Sequence, residues 1–171
     1  YQSVEGTRAK IIRIASTYII FNETDRDLYV KGDSSNIAQC KLQSEDDVRF
    51  SIPKMFSFDV NSYKKNRARI RFKESDWSMP ISFEALGQSF DTVVNIPNKE
   101  LECNFGITVS EGEGDYLFSK VISIAPRYII HNFLDVPIEI CEHGSTNILD
   151  VEPGKSLPLY KMRNVVHKQL M

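Results

Sequence analysis

Little in this chain speaks for catalysis, metal binding or a membrane span. Its three cysteines, Cys40, Cys103 and Cys141, are widely separated and odd in number. They form no Cys-x-x-Cys, and no pair of histidines stands at metal-ligating spacing. They read as reduced, mostly buried thiols of a cytosolic protein. There is no glycine-rich phosphate loop. His131, His143 and His167 accompany no recognisable Ser or Cys nucleophile motif. The acidic stretch Glu111–Asp115 lacks the ligand register of an EF-hand loop and reads as a hairpin tip. The longest apolar runs, such as Tyr18–Phe21, are far too short to cross a bilayer. A formal charge of −2 over 171 residues, with a pI near 6.0, gives no global field to draw in nucleic acid or an anionic membrane. No signal-peptide pattern follows Tyr1 and nothing near Met171 looks like a finished domain, so the chain reads as a piece of something longer. The expectation is a non-enzymatic protein, with neither metal nor cofactor and no nucleic-acid partner.

What is present is a packed, repetitive β protein. Hydrophobic residues make up 42% and aromatics 11%, the composition of a chain that can bury a core. Lys10-Ile-Ile-Arg-Ile-Ala-Ser-Thr-Tyr-Ile-Ile-Phe-Asn22 matches Lys120-Val-Ile-Ser-Ile-Ala-Pro-Arg-Tyr-Ile-Ile-His-Asn132 at eight of thirteen positions, without a gap, at an offset of 110. The match continues loosely: Asp25 with Asp135, Leu28 with Ile138, Val30 with Ile140. After one deletion, 42–50 parallels 151–159 at an offset of 109. A first unit therefore covers 10–119, a second and truncated unit covers 120–171, and 1–9 is the tail of a preceding segment.

Short runs rich in Ile, Val, Phe, Tyr and Thr alternate with turn clusters such as 31–36, 142–146 and 152–154, the pattern of an all-β protein of tandem sandwich-like units. Strands are expected over 10–15, 17–22, 27–31, 37–42, 47–52, 54–60, 67–73, 79–84, 90–96, 101–109, 116–124, 127–132, 136–142, 147–151 and 157–161. The best helical stretch is 161–170.

Within each copy Tyr18, Ile20 and Asn22, or Tyr128, Ile130 and Asn132, share one face of a strand. An Asn at the end of such a strand can bond its own backbone two residues on, so its first expected role is to organise the loop. Arg67, Arg69, Arg71 and Lys73 point one way from another strand while Ala68, Ile70 and Phe72 point the other. That stripe reads first as a solvated face. Its functional reading is a patch for an anionic membrane surface, each cation contributing roughly 1 kcal/mol. No aromatics interleave with it for base stacking.

Three segments together resemble one known family. Ser123–Asn132, then Val136–Ile140 and Val151–Leu159, look like the adaptor-binding region, also called the SHORT-ROOT-binding-like domain, of the vacuolar-protein-sorting-thirteen lipid-transfer proteins. Asp76-Trp-Ser-Met-Pro-Ile-Ser-Phe83 resembles the Trp-Ser-x-Pro motif midway through each unit of that region, which makes Trp77, with Tyr18 and Asn22, a structural element of the repeat. The resemblance covers essentially the whole chain. It implies about six β-sandwich-like units, each with a characteristic Asn, here Asn22 and Asn132. It also implies that the region binds Pro-x-Pro peptides of organelle-specific adaptors. Such binding would recruit the large protein peripherally to the cytoplasmic face of contact sites at endosome, vacuole or mitochondrion. Lipid carriage belongs to another part of such proteins.

The first copy has Ser16-Thr17 where the second has Pro126-Arg127, so the second is the better candidate site. Arg127, Tyr128, Ile130, Asn132, Leu134, Ile138 and Ile140 are its expected peptide-binding residues, on a fragment expected to be monomeric. Peripheral binding to phosphoinositides through the basic strand, or a passive spacer role, are the competing expectations.

Overall fold

The computed structural model describes residues 2–3, 10–35, 40–42, 53–58, 66–97, 101–143 and 146–163. The chain is all-β, as the alternating sequence predicts, with sixteen strands among these residues. The strands are β1 (Gln2–Ser3), β2 (Lys10–Ile11), β3 (Tyr18–Asn22), β4 (Leu28–Gly32), β5 (Cys40–Leu42), β6 (Lys54–Phe56), β7 (Arg67–Phe72) and β8 (Ile81–Ser82), followed by β9 (Gln88–Ile96), β10 (Leu101–Glu111), β11 (Lys120–Pro126), β12 (Tyr128–His131), β13 (Ile138–Cys141), β14 (Ile148–Val151), β15 (Ser156–Leu159) and β16 (Lys161–Arg163).

Two sheets pack face to face. One runs β16-β10-β11-β3-β6, with β9 on the other side of β10; the second runs β5-β4-β7-β8. Period-two burial explains the packing. On β4, Leu28 and Val30 are buried. On β7, Ala68, Ile70 and Phe72 are buried, while Arg67 is exposed and Arg69 and Arg71 are half-buried. On β10, Cys103, Phe105, Ile107 and Val109 point into the same core. Phe72 meets Phe105 across the two layers, with ring centroids 4.7 Å apart.

The repeat copies meet at an unusual place. β11, the first strand of the second copy by sequence, packs in the first unit's sheet. It pairs antiparallel with β10 and parallel with β3, Lys120 opposite Tyr18 and Ile122 opposite Ile20. Ile122 and Ile124 are wholly buried in the first unit's core. The sequence period thus begins one strand before the second packing unit does. Of the remaining second-copy strands, β12 pairs with β15 and β13 with β14, while β16 returns to β10.

Several local expectations shift. The stretch expected to be helical begins as strand β16, pairing Leu101–Cys103 of β10 with Arg163–Lys161; the rest of 161–170 lies outside the described residues. β11 leaves the first four residues of β10 unpaired on that side, and an open ladder outweighs weak helical periodicity. The strand expected over 47–52 also lies outside the described residues. Phe56 pairs with Tyr18, and Leu159 with Tyr128, so the copies correspond there at an offset of 103; the 109 of the sequence match holds at Leu42 and Val151. Residues 114–116 form a 3₁₀ turn before β11. Gly112 is required in that turn, because a Cβ there would sit 2.0 Å from the Tyr116 carbonyl oxygen.

Only Cys103 of the cysteines is buried; Cys40 and Cys141 are half-buried, and all three are free thiols. Burial pushes the Cys40 thiol up to about 11, against lowering by Lys54 and a backbone bond. Burial also pushes Tyr160 up to about 12. Both folded values lie above the unfolded ones, so the fold favours the neutral forms. Their stabilisation is complete below about pH 9 and is lost as pH climbs towards 12. Urea midpoints should therefore fall across pH 9–12, and Cys40→Ala with Tyr160→Phe should flatten the fall. A wild-type midpoint that is constant over that range would contradict this.

Candidate functional site

Each copy is organised around its asparagine. Asn22 and Asn132 are both only 2% exposed. The Asn22 amide donates to the carbonyls of Arg26 (2.8 Å) and Leu42 (3.3 Å), and its oxygen accepts from the Thr24 backbone N–H (3.1 Å). The Asn132 amide donates to Val136 (2.9 Å) and Val151 (2.7 Å), and its oxygen accepts from the Leu134 N–H (2.9 Å). These partners correspond through the repeat. One amide thus ties the end of a strand to its following turn and to the hairpin beyond, as the sequence predicts for an Asn in this place. Both amide nitrogens spend their two N–H groups on backbone carbonyls, and each amide oxygen already accepts a backbone N–H.

The copies differ in cover. Tyr18 is 3% exposed and its counterpart Tyr128 is 37%; Ile19 is 5% and Ile129 is 47%. Beyond Asn132, Phe133, Leu134 and Val136 are all exposed. Ile130 and Ile138 are half-buried and Ile140 is buried, so of the expected site residues Ile140 faces inward. Arg127 lies across the Tyr128 ring at 5.0 Å and holds Asp91 of β9 at 2.9 Å. This pair anchors the start of β12 to the first unit. His131 and Ser156, opposite one another on β12 and β15, are 2.6 Å apart, and Phe133 stacks on the imidazole. Two concavities, of about 250 and 320 Å³, lie in the first unit and are lined by none of the residues 127–140.

The basic strand is not a bare cationic stripe. Arg69 Nε bonds Asp33, itself nearly buried, at 2.6 Å, and Arg69 Nη1 donates to the Ser78 carbonyl. Arg71 lies over the Trp77 ring at 4.8 Å and over the Tyr29 ring at 5.6 Å, while Lys31 lies over Trp77 at 4.7 Å. Only Arg67 and Lys73, at the two ends of the stripe, are exposed. The motif around Trp77 explains this arrangement. Ser78 accepts the Ile70 N–H in its hydroxyl and gives its own N–H to the Ile70 carbonyl, so the segment is stitched onto β7 and carries the indole over the arginines.

Two residues with structural roles carry no signal in the sequence. Asp33 sits in a polar turn that gives no hint of its ion pair. Tyr160 Oη accepts the Asp25 N–H at 2.9 Å, linking the end of β15 to the first copy's Asn loop across 135 residues of chain.

The repeat, its Asn hubs and the Trp-Ser-x-Pro clamp have a counterpart among known proteins: the family model described as vacuolar-sorting associated protein 13, adaptor binding domain, matches residues 1–171. The chain belongs to this family. The VPS13 relatives include an intermembrane lipid transfer protein VPS13 of Chaetomium thermophilum, 35% identical over 93% of this chain. An intermembrane lipid transfer protein vps13E of Dictyostelium discoideum is 27% identical over 66% of it, and an intermembrane lipid transfer protein VPS13A of Mus musculus is 21% identical over 91%. The chain spans only 3–5% of the length of these relatives. An adaptor-binding domain in lipid-transfer proteins points to protein partners and a non-catalytic module. No helix among the described residues is long and apolar enough to cross a membrane.

Proposed function

We propose that the second copy recognises Pro-x-Pro segments of organelle-specific adaptors, and so recruits a large lipid-transfer protein peripherally to membrane contact sites. Family membership supports an adaptor as partner, and the sequence resemblance suggests the peptide class. The observation that carries the reading is the difference between the copies ahead of the shared Tyr and Asn: Pro126-Arg127 stands where the first has Ser16-Thr17, with Arg127 across the Tyr128 ring and on Asp91. Docking would run along the edge of β13, which pairs with β14. A Pro-x-Pro segment is pre-biased to an extended form and lacks some backbone donors, so it loses little entropy on docking along such an edge. Leu134 and Ile138, with Tyr128 and Ile130 beside them, would wall the prolines. Asn132 acts by holding the loop, and Arg127 by fixing Tyr128. With Arg69 and Arg71 engaged internally, the phosphoinositide reading retains only Arg67 and Lys73.

The test is fluorescence anisotropy with a labelled Pro-x-Pro peptide and its Ala-x-Ala control. A Kd in the micromolar range is expected for so small an interface. Leu134→Asp, at an exposed position that leaves the fold intact, should weaken binding about tenfold or more, equivalent to roughly 1.4 kcal/mol. Arg67→Glu with Lys73→Glu should leave it unchanged. Equal binding of the control peptide, or normal binding by Leu134→Asp, would sink the proposal.

A further inference from the structure

The outer face of the second sheet gathers charge of one sign in a chain whose net charge is −2. Lys41 of β5 stands opposite Tyr29 of β4, Tyr29 opposite Arg71 of β7, and Lys31 opposite Arg69. Arg67 completes the face at the start of β7, opposite Ser82 of β8. Lys31 and Arg69 are thus directly opposed like charges, an arrangement that destabilises a sheet unless something offsets it. Asp33 offsets Arg69 at 2.6 Å, and Asp27 offsets Lys41 at 2.5 Å. Among the described residues no carboxylate meets Lys31, Arg67 or Arg71. The Nε of Arg71 is buried without a hydrogen-bond partner.

Lys31 and Arg71 are held in place by a ring. Both lie over Trp77, at 4.7 and 4.8 Å from its centroid, and Arg71 also lies over Tyr29 at 5.6 Å. A ring attracts a cation through its quadrupole and cancels none of its charge. The indole is fixed in turn by the segment that carries it. Ser75 Oγ accepts the Phe72 N–H and donates to the Asp76 carbonyl; Ser78 Oγ accepts the Ile70 N–H and donates to the Met79 carbonyl. The Asp76 N–H reaches the Asn95 carbonyl of β9. Two long cationic side chains have therefore lost much of their freedom before any ligand arrives, which favours binding an anion over leaving the charges bare.

We propose that this face binds an acidic, extended segment of a partner protein. The spacing of the cations selects that ligand. Arg67 and Arg71 lie about 13 Å apart along β7, with Lys31 on the neighbouring strand level with the midpoint. An extended peptide repeats its side chains on one face about every 6.6 Å, so acidic residues at alternate positions reach Arg67, Lys31 and Arg71 in turn. A membrane surface fits less well, because Asp27 and Asp33 sit among the cations and Trp77 is half-buried against the sheet. The site lies on the first unit and is independent of the Pro-x-Pro reading, which uses the second.

Fluorescence anisotropy at low ionic strength, where surface charges are least screened, tests this with two labelled peptides. One alternates Glu with Thr. The other carries the same number of Glu at every third position, where successive carboxylates point to opposite faces of an extended chain. The wild type should bind the alternating peptide about fivefold more tightly than the other. Arg67→Glu, at an exposed position, should weaken that binding about threefold with an unchanged melting temperature, and adding Lys31→Glu should bring the loss to about tenfold or more. Pro-x-Pro binding should not change in either variant. Equal binding of the two peptides, or affinity that survives both charge reversals, overturns the proposal. So does a wild type that binds neither peptide; capture by phosphatidylserine vesicles that is lost in the double variant would then give the face to a membrane instead.

Discussion

Asn22→Ala should be among the most damaging single substitutions in the chain. Alanine removes both donors that satisfy the Arg26 and Leu42 carbonyls and the acceptor that satisfies the Thr24 N–H. The Thr24 hydroxyl can turn wholly to the Arg26 carbonyl, which it already contacts at 3.0 Å, so that group keeps a partner. The Leu42 carbonyl keeps the N–H of its ladder partner Leu28, while the Thr24 N–H does not regain a partner. Stranding that buried donor costs about 1–3 kcal/mol and each other lost bond about 1 kcal/mol, so the loss should total about 3–5 kcal/mol. For a chain of this size that is roughly 10 °C or more in Tm. Asn22→Asp keeps the shape and the acceptors but aims a carboxylate at two carbonyls, so it should be no milder. Asn132→Ala breaks the corresponding hub in the less covered unit and should cost less, about 2–3 kcal/mol. Urea or thermal unfolding measures all three, and an Asn22→Ala protein within 1 kcal/mol of wild type would show that the hub is not what holds the loop.

The second expected result sets two matched isoleucines against each other. Ile124→Ala should cost about 2–5 kcal/mol, because the side chain is wholly buried between the sheets. Ile14→Ala, in the same Ile-Ala context one repeat earlier, should stay within about 0.5 kcal/mol at low protein concentration, because Ile14 is 94% exposed there. The amino-acid change and the flanking motif are the same, so intrinsic propensity cancels. Only the presence of β10 and β3 on either side of the strand differs. Equal costs at the two sites would mean that β11 is not the closing strand of the first unit.

The sequence makes the fold class, the repeat and the Asn hubs legible, because each rests on short-range chemistry. Period-two alternation marks β7, and an Asn two residues before a backbone donor marks the loop. The sequence does not reveal which sheet a strand joins. Lys120–Pro126 begins the second copy by sequence yet closes the first unit's core, since pairing with β10 across one short turn brings Ile122 and Ile124 there. The helix expected at 161–170 gives way, at Lys161–Arg163, to the free ladder of β10, which lies 58 residues away at Cys103 and is invisible to local periodicity. For the basic strand, alternation correctly sends the cations outward. It cannot see that Asp33, Tyr29 and Trp77 arrive from other turns to occupy Arg69 and Arg71. The candidate site was legible only as a difference between copies, Pro126-Arg127 against Ser16-Thr17.

The central claim is that the second copy is the peptide-recognising one. A residue-by-residue NMR titration of the chain with a Pro-x-Pro peptide tests it most directly. Shift changes should cluster on 120–160, strongest around Leu134 and Ile138. Changes centred on 64–73 instead, or none at peptide concentrations well above micromolar, would contradict it.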